Sequence, residues 1–207
     1  MMISLPFDEE IRRFSEEGVL SIGVDEVGRG CLAGPVVAGA VMFDWSRIDE
    51  IRELADQFVI RDSKTLSRER RRATAEAIRN IALAIGIAEI DAKEIDEINI
   101  LQATLKAMKN AVEGLASSGI VLVDGNQRIP FLDLPQETII GGDNKIFSIA
   151  AASIIAKEYR DTLMEKFDLE FPGYDFSSHK GYGTKVHQVA IRSIGLSPIH
   201  RKTFWHG

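Results

Sequence analysis

A single cysteine, Cys31, among 207 residues leaves the chain no partner for an internal disulfide and no thiolate set for a zinc or iron–sulfur centre. A reduced, cytoplasmic setting is the expectation. Histidine is also scarce. The four (His179, His187, His200 and His206) all lie near the C-terminus, and His187 and His200 stand 13 residues apart, outside zinc spacing. His187 and His200 are expected as surface or hydrogen-bonded structural residues. Apolar runs such as Ile81–Ala88 fall far short of the roughly 18 residues that span a bilayer, so no membrane partner is expected. The opening segment MMISLPFDEE lacks the basic and apolar stretches of a secretory signal. GxxxxGK[ST] is missing, and Gly28-Arg29-Gly30 is too short for a dinucleotide fingerprint. No internal repeat or low-complexity segment is visible. Nor is there an excess of base: 25 Lys and Arg against 31 Asp and Glu argue against a generic nucleic-acid coat protein.

The charge is unevenly spread. Residues 171–207 hold five bases and one acid, Asp175, whereas residues 1–170 hold 20 bases and 30 acids. A cationic C-terminal surface on a carboxylate-rich body is the simplest reading. With 45% hydrophobic residues the chain can bury a core, and its length suits one domain. Leu20–Val24 and Pro35–Phe43 read as an antiparallel strand pair joined through glycines. A helix is expected over 47–57, and another from N-cap Ser67, with Glu69 in its first turn, to about Ile81. Ala82–Ile90 reads as a third strand, Asn99–Leu115 as a helix, Gly119–Gly125 and Glu137–Asp143 as strands. A long helix follows from about Lys145 to Phe167, then a loop over 171–183 and a last helix at Thr184–Ile194. This order predicts a mixed α/β sheet, with the third and fourth strands paired in parallel through a crossover and the tail packed on the sheet as a helical lobe.

Four carboxylates fall at strand or loop ends beside glycines: Asp25, Glu26, Asp124 and Asp143. Chemistry in open α/β sheets gathers at such edges. Neighbouring residues of a strand point to opposite faces, so Asp25 and Glu26 converge only where the strand twists or ends. Clustered carboxylates repel unless a divalent cation sits among them, and oxygen donors favour Mg²⁺ or Mn²⁺ over zinc. Each also has a plain alternative: Asp124 a turn residue, Asp143 an N-cap, Asp25-Glu26 a solvated strand end. Glu9-Glu10 and Glu16-Glu17 read as surface charge, Arg68–Arg72 as a solvated helix face, and Cys31 as filler in a tight turn. Gly28-Arg29-Gly30 is either a hairpin turn or a close approach to a sugar-phosphate. His179–Lys185, HKGYGTK, is either a polar loop or a phosphate contact with a stacking aromatic. A small-molecule phosphatase of the haloacid-dehalogenase type needs Asp-x-Asp, which Asp25-Glu26-Val27 does not supply; a purely binding module leaves the acids unexplained.

Together GVDEVGRGCLAGPVVAGAV, DSKTLS, NILQATLKAM, VLVDGN, GGDNKIFSIAAASIIAKEYRD, HKGYGT and IHRKTF resemble, in order, the ribonuclease HII (type 2 ribonuclease H) family over most of residues 20–204. The resemblance implies an RNase H-like fold: α/β, a central mixed five-stranded sheet flanked by helices. It implies a single catalytic domain over 1–207 whose part beyond about 171 is a helical, substrate-contacting extension. It also implies a monomeric endonuclease that cuts the RNA strand of RNA–DNA hybrids and incises DNA at single ribonucleotides with Mg²⁺ or Mn²⁺. By the same resemblance Asp25, Glu26, Asp124 and Asp143 are catalytic and hold the metal. Gly28, Arg29 and Gly30 read the ribose 2′-hydroxyl, Tyr182 stacks on the sugar at the RNA–DNA junction, and Lys64, Ser153 and Lys180 lie near the substrate backbone.

Overall fold

Alternation along the first strand assigns the faces of the sheet. The computed structural model describes residues 10, 13–14, 20–58, 60 and 66–206. The strands are Ser21–Val27 (β1), Val36–Phe43 (β2), Ala84–Ile90 (β3), Ile120–Asp124 (β4) and Gln136–Ile139 (β5). The helices are Ile48–Gln57 (α1), Arg68–Ile81 (α2), Ala92–Ile98 (α3), Ile100–Glu113 (α4), Phe147–Glu170 (α5), Phe176–His179 (α6) and Lys185–Ile194 (α7). The sheet order is β3-β2-β1-β4-β5, with β2 antiparallel to both neighbours and β4 parallel to β1 and β5.

The expected parallel pairing of the third and fourth strands is not what forms. β3 and β4 run in the same sense, but β2 already covers the inner edge of β3. β1 offers the open edge, so α3 and α4 carry the chain across to it. β1 also outruns its expected end, so Asp25 and Glu26 lie inside the strand, opposite Gly39 and Ala38. The fifth strand stops at Ile139. The GGD that follows is part of a 3₁₀ turn, Gly142–Asn144, and α5 starts later, at Phe147 with Ile146 as N-cap. Asp143 therefore does not cap the long helix. α3, absent from the sequence reading, is capped by Asp91 and ended by Asn99, whose positive φ lets its side chain cap α4 in turn.

Ile22 and Val24 face α4 in one core layer with Met42, Met108 and Val123. On the opposite face α1, α2 and α5 bury Phe43, Leu54, Ile78, Leu122 and Phe147. α5 comes unusually close to the sheet because Gly23 has no side chain: a Cβ there would stand 2.1 Å from the Ser148 carbonyl carbon. The tail packs less on the sheet than on the β1–β2 connection and the second half of α5, through Ala33, Met164, Tyr174, Phe176 and Ile191.

Two charge expectations are corrected. Glu10 is fully buried, not surface charge. It accepts from the Ser21 hydroxyl at 2.6 Å, the Ser148 hydroxyl at 2.6 Å and the Ser148 amide at 2.9 Å, supplying α5 with the N-terminal anion that Ile146 cannot. Burial still raises its pKa above the ordinary value. Arg71 in the Arg68–Arg72 run is buried against Asp161 at 2.8 Å, because α2 lays its basic face on the acidic stripe of α5. Of the two readings of His187 and His200, the hydrogen-bonded structural one holds: both are buried and bonded to each other. Glu16-Glu17 and Lys64 lie outside the described residues.

Candidate active site

β1 and β4 lie side by side in parallel, with Val24 opposite Val123. The next residues, Asp25 and Asp124, come abreast at the same end of the sheet. Asp25 takes the face covered by α5. There the Ser153 hydroxyl donates to its carboxylate, and the Glu26 amide donates to Oδ1 at 2.7 Å. Glu26 takes the α4 face. With Arg29, Thr104 and Asp124 it lines a cavity of about 250 Å³. Asp124 Oδ1 accepts from the Gly142 amide at 2.7 Å, so the fourth acid, Asp143, is tethered one residue away.

Electrostatics ties three of the four together. Burial, then the Glu26 carboxylate, then that of Asp124 hold Asp25 well above the usual carboxylate range, although the Ser153 hydroxyl and the Glu26 amide pull it down. Such a site holds more negative charge than its protein surroundings neutralise. Its donors are all oxygen, which fits a hard divalent cation. Arg29 offsets part of the charge at 3.3 Å from Glu26. The Asp143 carboxylate accepts from the Asn144 side chain at 2.9 Å. Among the described residues, no three His, Cys, Asp or Glu side chains converge closely enough to hold one ion with their present rotamers.

The Gly28-Arg29-Gly30 turn is built from below by two buried arginines that sequence reasoning missed. Arg201 donates to the carbonyls of Gly28 at 2.7 Å, Arg29 at 2.8 Å and Gly34 at 2.9 Å. Arg160 donates to those of Ala33 at 3.0 Å, Pro35 at 2.9 Å and Lys180 at 2.8 Å. With the carbonyls turned inward, the planar peptides aim the amides of Arg29 and Gly30 away from Arg201. Gly28 has φ 95°, and a Cβ there would meet Arg160 Nε at 2.3 Å, so glycine is required twice over. Nothing in the spacing of YRD or HRKTF marks these arginines as buried; only the carbonyls they serve reveal it.

Tyr182 pairs as a β-bridge with Cys31, directly after the turn, and keeps its ring partly exposed. Lys157, one helical turn beyond Ser153, places Nζ 5.9 Å from that ring while donating to Asp161 at 2.6 Å. Lys180 spends its ammonium on Glu165 at 2.7 Å.

A family model for ribonuclease HII matches residues 22–206. A ribonuclease HII of Pelodictyon phaeoclathratiforme is 50% identical over 188 residues, 89% of each chain. The chain belongs to the ribonuclease HII family. It is thus a ribonuclease H, a nuclease that hydrolyses nucleic acid. The crystal structure of the ribonuclease H2 from Pyrococcus horikoshii OT3 superposes with a TM-score of 0.74 at 26% identity, covering 90% of this chain and 94% of that one. The structure of Bst-RNase HIII in complex with Mn²⁺ shares the fold at a TM-score of 0.65 and 20% identity, over 86% of this chain and 63% of that one. The expected RNase H-like fold, with its mixed five-stranded sheet flanked by helices, is therefore the fold of this ribonuclease HII family member. Among the described residues no helix is long and apolar enough to cross a membrane.

Proposed function

We propose that the protein cuts the RNA strand of RNA–DNA hybrids and incises duplex DNA 5′ of single embedded ribonucleotides, leaving 3′-hydroxyl and 5′-phosphate ends. The observation that carries this reading is the carboxylate trio Asp25, Glu26 and Asp124 at one end of the sheet, two of which line a cavity together with Arg29 of the glycine-rich turn. Asp25, Glu26, Asp124 and Asp143 would hold two divalent cations, Mg²⁺ or Mn²⁺, which when bound supply Lewis acidity to the phosphate and the attacking water. Asp25 would take part in holding both cations, with its carboxylate oriented by the Ser153 hydroxyl. As water adds to phosphorus the P–O3′ bond opens, and the 3′-oxygen leaves as the hydroxyl of the upstream strand.

Selectivity for ribose falls to the turn. The Arg29 and Gly30 amides and the Arg29 guanidinium face the sugar, and a site built to bond a 2′-hydroxyl loses those bonds on deoxyribose. Tyr182 presents its ring to the sugar at the RNA–DNA junction, and Ser153, Lys180 and Lys64 lie along the backbone path. The cationic part beyond about residue 171 serves as the substrate-contacting extension of the single domain.

Asp124→Asn tests the reading. The amide oxygen still accepts from Gly142, so folding and duplex binding are retained. Nicking of a labelled duplex with one ribonucleotide, in Mg²⁺ or Mn²⁺ against EDTA, is expected to be lost. Near-wild-type turnover would remove Asp124 from the mechanism.

A further inference from the structure

Three buried imidazoles clamp the main chain around Tyr182, and the reading above gives them no task. His179, His187 and His200 are packed with Tyr174 and Phe176. Their proton positions follow from backbone groups that have only one role. The Ser197 amide can only donate, and it points at His200 Nδ1 from 2.9 Å. A neutral His200 therefore carries its proton on Nε2, which lies 3.0 Å from His187 Nε2. That nitrogen must accept, so the His187 proton sits on Nδ1, 2.9 Å from the Tyr182 carbonyl, which can only accept. His179 closes the set. It stacks on His187 with ring centroids 4.3 Å apart, accepts from the Gly181 amide at 3.1 Å, and donates to the Tyr174 carbonyl at 2.7 Å. A second proton on any of the three rings would aim one N–H at another.

We propose that His187, held in its proton-on-Nδ1 form by His200, is a positioning residue that sets the pitch of the Tyr182 ring and thereby the preference for a lone ribonucleotide in DNA over a continuous hybrid. This rests on the reading of Tyr182 as the group that meets the sugar at the junction. The rest of the segment is fixed from the opposite side. The Gly181 carbonyl accepts from the Leu32 amide at 2.8 Å, and the Lys180 carbonyl from Arg160 at 2.8 Å. The Tyr182 carbonyl itself accepts from the Thr184 amide at 2.8 Å within the segment, and His187 is the side chain that adds a second bond to the peptide plane directly after Tyr182. The titratable groups facing the pair are His179 and the Tyr174 phenol, and burial first, then the neighbouring imidazoles, keep both rings neutral.

Kinetics on two substrates decide the matter: a duplex with one ribonucleotide and a continuous RNA–DNA hybrid, each with Mg²⁺. His187→Asn places an amide N–H near the Nδ1 position and is expected to keep the wild-type ratio of kcat/KM values. His187→Gln, which cannot reach the Tyr182 carbonyl in the same way, is expected to lower that ratio by about tenfold, towards that of Tyr182→Ala. An unchanged ratio in His187→Gln overturns the positioning role alone. A wild-type enzyme that cuts the hybrid but not the single-ribonucleotide duplex overturns the substrate reading and this proposal with it. Long-range ¹H–¹⁵N spectra of the wild-type rings give a check independent of activity and of variant folding. His187 protonated on Nδ1 supports the chain, and protonation on Nε2 overturns it.

Discussion

Gly23 is the narrowest point between the sheet and the helix that carries Ser153, so Gly23→Ala is the sharpest test of how the fold positions the site. The added methyl would stand 2.1 Å from the Ser148 carbonyl carbon and 2.2 Å from the Ile149 amide nitrogen. Both are backbone atoms, so no rotamer change relieves the clash. To restore an ordinary contact of 3.4 Å the helix must retreat by about 1.3 Å, pulling Phe147 and Ile149 away from Phe43 and Leu122. Overpacking of this kind typically costs about 1–3 kcal/mol, and a rigid backbone neighbour puts the cost at the upper end, about 3 kcal/mol. For a chain of this size that corresponds to a fall in Tm of roughly 6–12 °C. Ser153 moves with the helix and loosens its hold on Asp25, so cleavage falls even at temperatures where the variant is folded. Urea unfolding and a single-ribonucleotide nicking assay on the same preparation measure both effects. A Gly23→Ala variant within about 0.5 kcal/mol of wild type and fully active would show that Gly23 does not set this spacing.

Gly30→Ala makes the opposite prediction: a Cβ there meets nothing within 4 Å, so stability holds while cleavage falls because the methyl stands where the ribose must approach, and full activity would refute that placement. Asp25→Asn removes a carboxylate that burial and its neighbours penalise, so without divalent cations its urea midpoint should rise above wild type while cleavage disappears; a lower midpoint would contradict the electrostatics. His200 is held at about 4, against 6.5 when exposed, by burial and then by His187. The stability this lends is complete above pH 6.5 and lost as pH falls toward 4, an upper bound of about 3 kcal/mol that His200→Gln should not show; equal pH slopes of urea stability for the two proteins would refute it.

Local chemistry carried much of this protein in its sequence. β-Branched runs bounded by glycine mark β1 and β2, Ser67 marks the start of α2, and the acids beside glycines single out Asp25, Glu26 and Asp124 without any coordinates. What stayed hidden were partnerships distant in the chain. Glu10 looked like surface charge because nothing local shows that Ser21 and Ser148 will surround it. Arg71 looked like a solvated base, and Arg160 and Arg201 drew no notice, because Asp161, Ala33 and Gly28, which they serve, lie 90 or more residues away. The helix Ala92–Ile98 went unread before Asn99, because its Asp91 cap and the turn at Asn99 leave only seven residues in which a period can show.

The sequence by itself determined which residues could do the chemistry, since residue type and the alternation of a strand are properties of the chain alone. Tertiary structure decided where they meet. The pairing of β4 with β1, not β3, brings Asp124 abreast of Asp25, and two buried guanidiniums turn the glycine-rich turn so that its amides face outward. Both outcomes follow from satisfying open strand edges and buried carbonyls, a requirement that exists only once the chain has folded back on itself.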